Sequence, residues 1–324
     1  MSNSEIYKKT LTFSLRRLLF SVICVVTIVA LSTIGFLIVE KMYDKGLVGL
    51  AIGLVLGIII VAVISHFFAY ALSAGQIAMM TRGVTEGTLP EDVYGEGKRM
   101  VKERFLTVAI FYAATRAIKG IFNQIGRLIT GAGKAIGGDT GEGIANAINI
   151  GIQVVIGFLS DCCLGWVFYW SDKSAFKATL QGAGVFFKNG KALLRNLGRI
   201  FGMGIASLLL IGGAFTGIGY LIFSNFPAAF QRIADEVVNM AAKDGSSVPE
   251  WFTNPQNLAL VAAIILGFIL WNIIHGTFVR PFILVGVLRN YMEAGLANLP
   301  SESDMNELAK KSPKFAKLQE KGDF

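Results

Sequence analysis

The chain has 324 residues, 53% of them hydrophobic and 16% charged, against about 25% charged in an ordinary soluble domain. With a mean hydropathy of +0.58 and several long apolar runs, this excludes a soluble globular domain and indicates an all-α, polytopic membrane protein. The formal charge of +8 does not signal nucleic acid, because Lys and Arg sit in short segments beside apolar runs, as the positive-inside bias requires.

Lys8, Lys9, Arg16 and Arg17 precede the first apolar run, Leu18–Val39. It is longer than a signal-peptide core and no small-residue cleavage site follows, so it reads as a retained membrane helix. A short loop at Lys41–Lys45 leads to a second run, Leu47–Leu72, with Gly49, Gly53 and Gly57 spaced by four. Such a stripe clears one helix face for close approach, either as a packing seam within the chain or as a homo-oligomer contact. Ser73–Arg104 is hydrophilic, balances five basic against five acidic residues, and reads as a mobile, solvated loop with one or two short helices.

Phe105–Leu128 is the ambiguous element. At helical spacing Arg116, Lys119, Asn123 and Arg127 share one face, with Ile118, Ile121, Phe122, Ile125 and Leu128 opposite. That pattern suits a helix in the interface plane as well as one facing a bundle interior. The glycine-rich stretch Gly131–Gly143 is no phosphate loop: Leu128 stands where the first glycine belongs, and Ala135 follows Lys134 where Ser or Thr is needed. It reads as a turn.

Ile148–Trp170 is the next span, with Asn146, Asn149, Gln153, Gly157 and Ser160 aligned, Asp161 beside them, and Tyr169 and Trp170 as interfacial anchors. Ser171–Arg199 carries Lys173, Lys177, Lys188, Lys191, Arg195 and Arg199 against the single acid Asp172, with a turn expected at Asn189-Gly190. These cations suit anionic lipid headgroups. The fifth span is Ile200–Phe223. A surface helix after Pro227 has the apolar face Phe226, Phe230, Ile233, Val237 and Met240. The sixth span covers 257–280, with a kink expected at Pro281 before Phe282–Leu288. Residues 1–288 thus form one transmembrane bundle. Residues 289–324 form a cytoplasmic mixed-charge tail, with a capping-box-like helix start at Asp304 and Glu307 and a mobile Lys-rich end.

Charge counting chooses among topologies. With Phe105–Leu128 spanning, six helices form three hairpins, and 21 Lys and Arg residues share the side of the termini against 6 opposite. With that segment in the plane, the split becomes roughly even. The bias therefore favours six spans (18–39, 47–72, 105–128, 148–170, 200–223 and 257–280) in the plasma membrane, with both termini cytoplasmic. Arg116 then lies about 16 Å and Asp161 about 14 Å from the cytoplasmic helix ends, so the two are expected to pair. His66, Asn272 and His275 fall in the cytoplasmic halves of their spans and extend an internal polar set of Arg116, Lys119, Asn149, Gln153, Ser160 and Asp161.

Cys24, Cys162 and Cys163 all lie in apolar runs, so no disulfide framework is implied. With only two histidines the chain suggests no metal site, and no cofactor is expected. Three function classes fit unequally. One is a transporter or permease whose internal polar site takes an anionic or zwitterionic solute. Another is a non-catalytic membrane scaffold, assembly or lipid-organising protein. An intramembrane hydrolase is the poorest fit, since no catalytic motif is present.

Overall fold

The computed structural model describes the backbone of residues 1–104, 116, 119, 120, 142–193, 196–243, 245, 246 and 248–322. The side chains at 66, 67, 142–150, 152, 190–193, 197, 240, 311, 318, 321 and 322 also lie outside the description. The described residues are helices and short connections, with no strand among them. They divide into a larger unit, Met1–Ile200 with Pro281–Phe324, and a smaller one, Phe201–Arg280.

In the larger unit, α1 (Asn3–Lys9) opens on a capping box: Ser2 Oγ accepts from the Glu5 amide, and the Glu5 carboxylate accepts from the Ser2 amide. α2 (Leu11–Tyr43) ends at Asp44, whose φ of 53° is left-handed, a conformation Asp tolerates better than most residues. The Gly46 amide then donates to the Glu40 carboxylate at 2.7 Å, capping the start of α3 (Gly46–Thr85).

The two helices meet along Gly35, Gly49, Gly53 and Gly57. A Cβ on Gly53 would overlap the Leu31 carbonyl and stand 2.8 Å from Ser32 Cα; one on Gly57 would be 3.0 Å from Ile28 Cα. The outer faces are apolar, with Leu19, Val26, Leu37, Ile59 and Val63 each more than half exposed.

α3 does not stop where its apolar run stops. Ala74, Ile77, Met79 and Met80 are buried, so Ser73–Arg104 is not the solvated loop its composition suggests. Only a stripe of small and apolar residues is needed to bury one face of a helix, and charges on the other face mask that stripe in composition. α4 (Val93–Arg104) folds back onto α3, with Phe13, Met79 and Val93 forming a cluster joined by Leu72, Leu89, Tyr94 and Met100. Buried Gln76 is satisfied by the Thr10 carbonyl at 3.3 Å and Ser14 Oγ at 3.1 Å.

α5 (Glu142–Tyr169) runs into the same core, burying Phe158–Ser160 and Cys162–Phe168. Gly165 lets it approach closely: a Cβ there would stand 2.6 Å from Thr81 Oγ1 and 2.8 Å from a Leu288 methyl. α6 (Ala175–Leu193) continues through Asn189-Gly190, where a turn was expected. The Asn189 amide group instead donates to the Val185 and Asn298 carbonyls at 3.0 and 3.3 Å. These bonds hold the dipeptide helical.

Helix α7 (Leu197–Ser207) leads from this unit into the smaller one. It continues as a π turn, Leu208–Gly212, and α8 (Gly213–Phe223). α9 (Pro227–Lys243) is amphipathic, with Ala234 buried, and Phe226 just before it is exposed. α10 (Pro255–Ile274) is capped by Asn254, which accepts from the Gln256 amide. It packs on α8 through Gly219 against Ala263 and Gly267 against Thr216. Their outer faces and the π turn expose Leu209, Leu210, Leu221, Ile265 and Phe268.

The helix continues through Pro281, where a kink was expected. A π turn, His275–Val279, precedes it, and α11 (Arg280–Ala297) follows directly. Proline has no N–H for the carbonyl four residues back, and one widened turn accommodates that loss.

Back in the larger unit, α12 (Glu302–Lys311) and α13 (Pro313–Gly322) are docked where a mobile end was expected. Leu308 and Phe315 are fully buried against Leu180 and Ala183 of α6. Asp304 completes a capping box with Ser301.

Among the described residues, four helical stretches are long and apolar enough to cross a membrane: Leu11–Tyr43, Gly46–Thr85, Gly198–Phe223 and Pro255–Ala297. They match the first, second, fifth and sixth expected spans and are compatible with an α-helical membrane protein. The apolar stretch Gln153–Tyr169 within α5 is shorter. Of the third expected span, 105–128, only 116, 119 and 120 are described.

Candidate functional site

The expected polar set is divided between the two units. His275 and Asn272 belong to the smaller unit, and the remaining members to the larger.

In the smaller unit, His275 belongs to a polar knot that links the two long helices. Ser207 Oγ donates to the Gly204 carbonyl at 2.8 Å, accepts from Trp271 Nε1 at 3.1 Å and lies 2.8 Å from His275 Nδ1. A hydroxyl has one proton and two lone pairs. With the proton on Gly204 and one lone pair on Trp271, the other accepts from Nδ1–H, which leaves Nε2 as the bare nitrogen of His275. The imidazole also lies against the Trp271 ring, centroids 5.2 Å apart.

Both π turns begin at this knot, one just after Ser207 and one at His275. Trp271 precedes His275 by one helical turn, a spacing that could have revealed it; nothing in the sequence singled out Ser207. Asn272 is exposed and takes no part.

In the larger unit, Lys119 Nζ donates to the Tyr70 hydroxyl of α3 and lies 5.0 Å from that ring's centroid. Buried Ser160 donates to the Ile156 carbonyl at 2.7 Å and is satisfied within its own helix. Half-buried Asp161 stands one turn before Gly165, while Arg116 and Gln153 are exposed. The side chains of His66 and Asn149 lie outside the described residues.

Beyond the expected set, α3, α4 and the end of α5 enclose an open cleft of about 290 Å³. Its wall is an ionic network. Arg82 bridges Glu86 at 2.8 Å and Glu96 at 3.0 Å, and Arg99 bridges Glu96 at 2.7 Å and Glu103 at 2.6 Å. Arg99, and more weakly Arg82, hold the Glu96 carboxyl below its ordinary range. The sequence signal was an excess of Arg–Glu spacings of three and four on one short helix.

The six cations expected at a lipid surface have diverse settings. Lys173 lies over the Trp170 ring, 3.7 Å from its centroid, and donates to Gln181 at 2.9 Å. Lys188 ties α6 to the tail, 2.9 Å from the Leu299 carbonyl and 3.0 Å from Asp304. Lys177 and Arg199 are exposed, and the side chains of Lys191 and Arg195 lie outside the described residues. The seam glycines Gly49, Gly53 and Gly57 all face α2.

Comparison with known protein families, characterised proteins and solved structures finds no match to this chain.

Proposed function

We propose that this chain is a non-catalytic, multi-pass protein of the plasma membrane that acts as a scaffold, assembly factor or lipid-organising protein. We propose that it crosses the bilayer six times, as three hairpins, with both termini cytoplasmic. The observation that carries the reading is the closure of each described hairpin on itself. α2 and α3 meet backbone to backbone along their glycine seam, and α8 and α10 meet at Gly219 and Gly267, while their outward faces are apolar. A permease needs spans that enclose a polar path, and seams this tight leave no path between these partners.

An even number of crossings is supported by Arg289, which donates to Asn3 Oδ1 at 2.6 Å and to the Met1 carbonyl at 2.7 Å. Both ends of the chain then lie on one side of the bilayer, the side richer in Lys and Arg.

One observation favours a second reading. Lys119 reaches Tyr70 at the end of an apolar run, and with Arg116, Gln153 and Asp161 it would suit a transporter of an anionic or zwitterionic solute. Uptake into proteoliposomes, together with solute-dependent thermal shift, decides between them. The scaffold reading expects neither response across a panel of anionic and zwitterionic solutes, and expects lipid or a stable partner to be retained through purification. Uptake that Asp161→Asn abolishes without reducing protein accumulation would overturn it.

A further inference from the structure

We propose that the corner where α4, α5 and α6 meet is a seat for the phosphate of an anionic phospholipid headgroup, an inference that rests on the lipid-organising reading above. Among the described residues, two side-chain donors here are buried without an acceptor: Arg104 Nε and Trp170 Nε1. Buried N–H groups are ordinarily paired, and one belonging to a cation is especially costly to leave bare.

The guanidinium of Arg104 is already oriented, donating through Nη1 to the Ser171 carbonyl at 3.2 Å and through Nη2 to the Trp170 carbonyl at 3.1 Å. Its remaining edge is therefore held in place and turned away from those carbonyls. Lys173 brings a second cation to the same tryptophan, lying 3.7 Å from its ring centroid. One of its protons goes to Gln181, which leaves two for another acceptor.

Three kinds of N–H donor, two of them formally charged, thus gather around one residue. The group that satisfies such a set is an oxyanion with several acceptor oxygens, which describes a phosphate. Asp172, the neighbouring carboxylate, is exposed, and Glu103 is engaged with Arg99, so the corner keeps a net positive balance.

Location selects the source of the phosphate. Tyr169 and Trp170 pack edge to face, 5.3 Å apart, at the end of the apolar stretch Gln153–Tyr169. Paired aromatics at such a helix end mark the headgroup level of a bilayer. An anionic leaflet supplies phosphates there at high local concentration.

The test uses the full chain in detergent, offered equal amounts of phosphatidylglycerol and phosphatidylcholine, with retained lipid counted by native mass spectrometry. The wild type is expected to hold phosphatidylglycerol preferentially. Arg104→Gln is expected to weaken that retention about fivefold, the effect of one interfacial cation, while Lys177→Gln, on the exposed face of α6, leaves it unchanged. Arg104→Lys, which keeps the charge but loses Nε, and Trp170→Phe, which keeps the ring but loses the indole N–H, are each expected to weaken it with the elution profile unaltered. These two variants keep the test decisive if Arg104→Gln fails to fold.

Equal retention in wild type, Arg104→Lys and Trp170→Phe would overturn the seat; without solute uptake, the scaffold reading would still stand. Thermal protection by inorganic phosphate alone, lost in the same variants and without lipid preference, would overturn the lipid assignment in favour of a free anion. Solute uptake with seat-dependent lipid retention would overturn the scaffold reading and leave the seat intact.

Discussion

Gly53 shows how one missing side chain can hold two membrane helices together. In lipid no hydrophobic force drives apolar helices into each other, so association depends on close packing. Gly53→Leu puts a branched side chain where the Leu31 carbonyl and Ser32 Cα already lie. It is expected to destabilise the protein by about 1–3 kcal/mol, the usual range for overpacking, read as a fall in thermal midpoint in detergent. Gly217→Ala, on a helix face with nothing within 4 Å, is the matched control and should stay within about 0.5 kcal/mol of wild type. The spacing of Gly49, Gly53 and Gly57 was legible in the sequence. Their partner Gly35 was not, because a lone glycine in an apolar run has no signature until the opposing helix is known.

Asp304 makes the tail sensitive to acid. Its carboxylate accepts from the Ser301 hydroxyl and amide and pairs with Lys188 at 3.0 Å, which lowers its pKa from 3.8 to about 2. The folded value lies below the unfolded one, so the stabilisation is fully present above the unfolded pKa and fades as pH falls through the folded one. Hydrogen exchange in α12 and α13, taken relative to the intrinsic amide rate at each pH, should therefore stay slow at neutral pH and quicken between about pH 4 and pH 2. Asp304→Asn should quicken it already at pH 7 and flatten the acid response.

At the scale of elements, the long apolar helices were readable, and so were short helices in the polar segments, but the burial of those short helices was not. Tail and linker segments looked solvated because their charges dominate composition, yet Leu308 and Phe315 of the tail are fully buried. Phe315→Ala empties a core position and is expected to cost about 3–5 kcal/mol of docking. Trypsin should then cut within α12 and α13 under conditions where the wild-type tail survives, with intact mass as the readout.

The π turns around Ser207 and His275 give a second test. Ser207→Ala strips a partner from both Trp271 Nε1 and His275 Nδ1. Polar contacts between membrane helices average about 0.6 kcal/mol and reach about 1.7, so the thermal midpoint should fall modestly while tryptophan emission shifts. Asn272→Ala, exposed and outside the knot, should change neither. Of this site, His275 and its helical neighbour Trp271 were within reach of sequence reasoning. Ser207 was not, since a serine in an apolar helix usually bonds its own backbone.

For the whole molecule the number of crossings turns on whether Phe105–Leu128 and α5 cross as a hairpin. Six spans place residue 136 on the side opposite Lys177; a chain in which neither crosses puts the two on the same side. With Cys24, Cys162 and Cys163 replaced, single cysteines at Ile136 and Lys177 can be labelled by an impermeant reagent on sealed cells. The six-span topology expects Ile136→Cys to react and Lys177→Cys to be protected. Protection of both would reduce the count to four.

The sequence by itself determined the solvent, the helical class and the places where four long stretches could cross. These follow from apolar length and charge asymmetry, which are local and additive along a chain. Only the tertiary structure decided which polar residues meet. Arg289 finds Asn3, Phe315 finds Leu180, and Ser207 finds His275, each across at least 68 residues. Such pairings depend on which helix faces turn toward one another, and helical periodicity fixes a face without naming its partner.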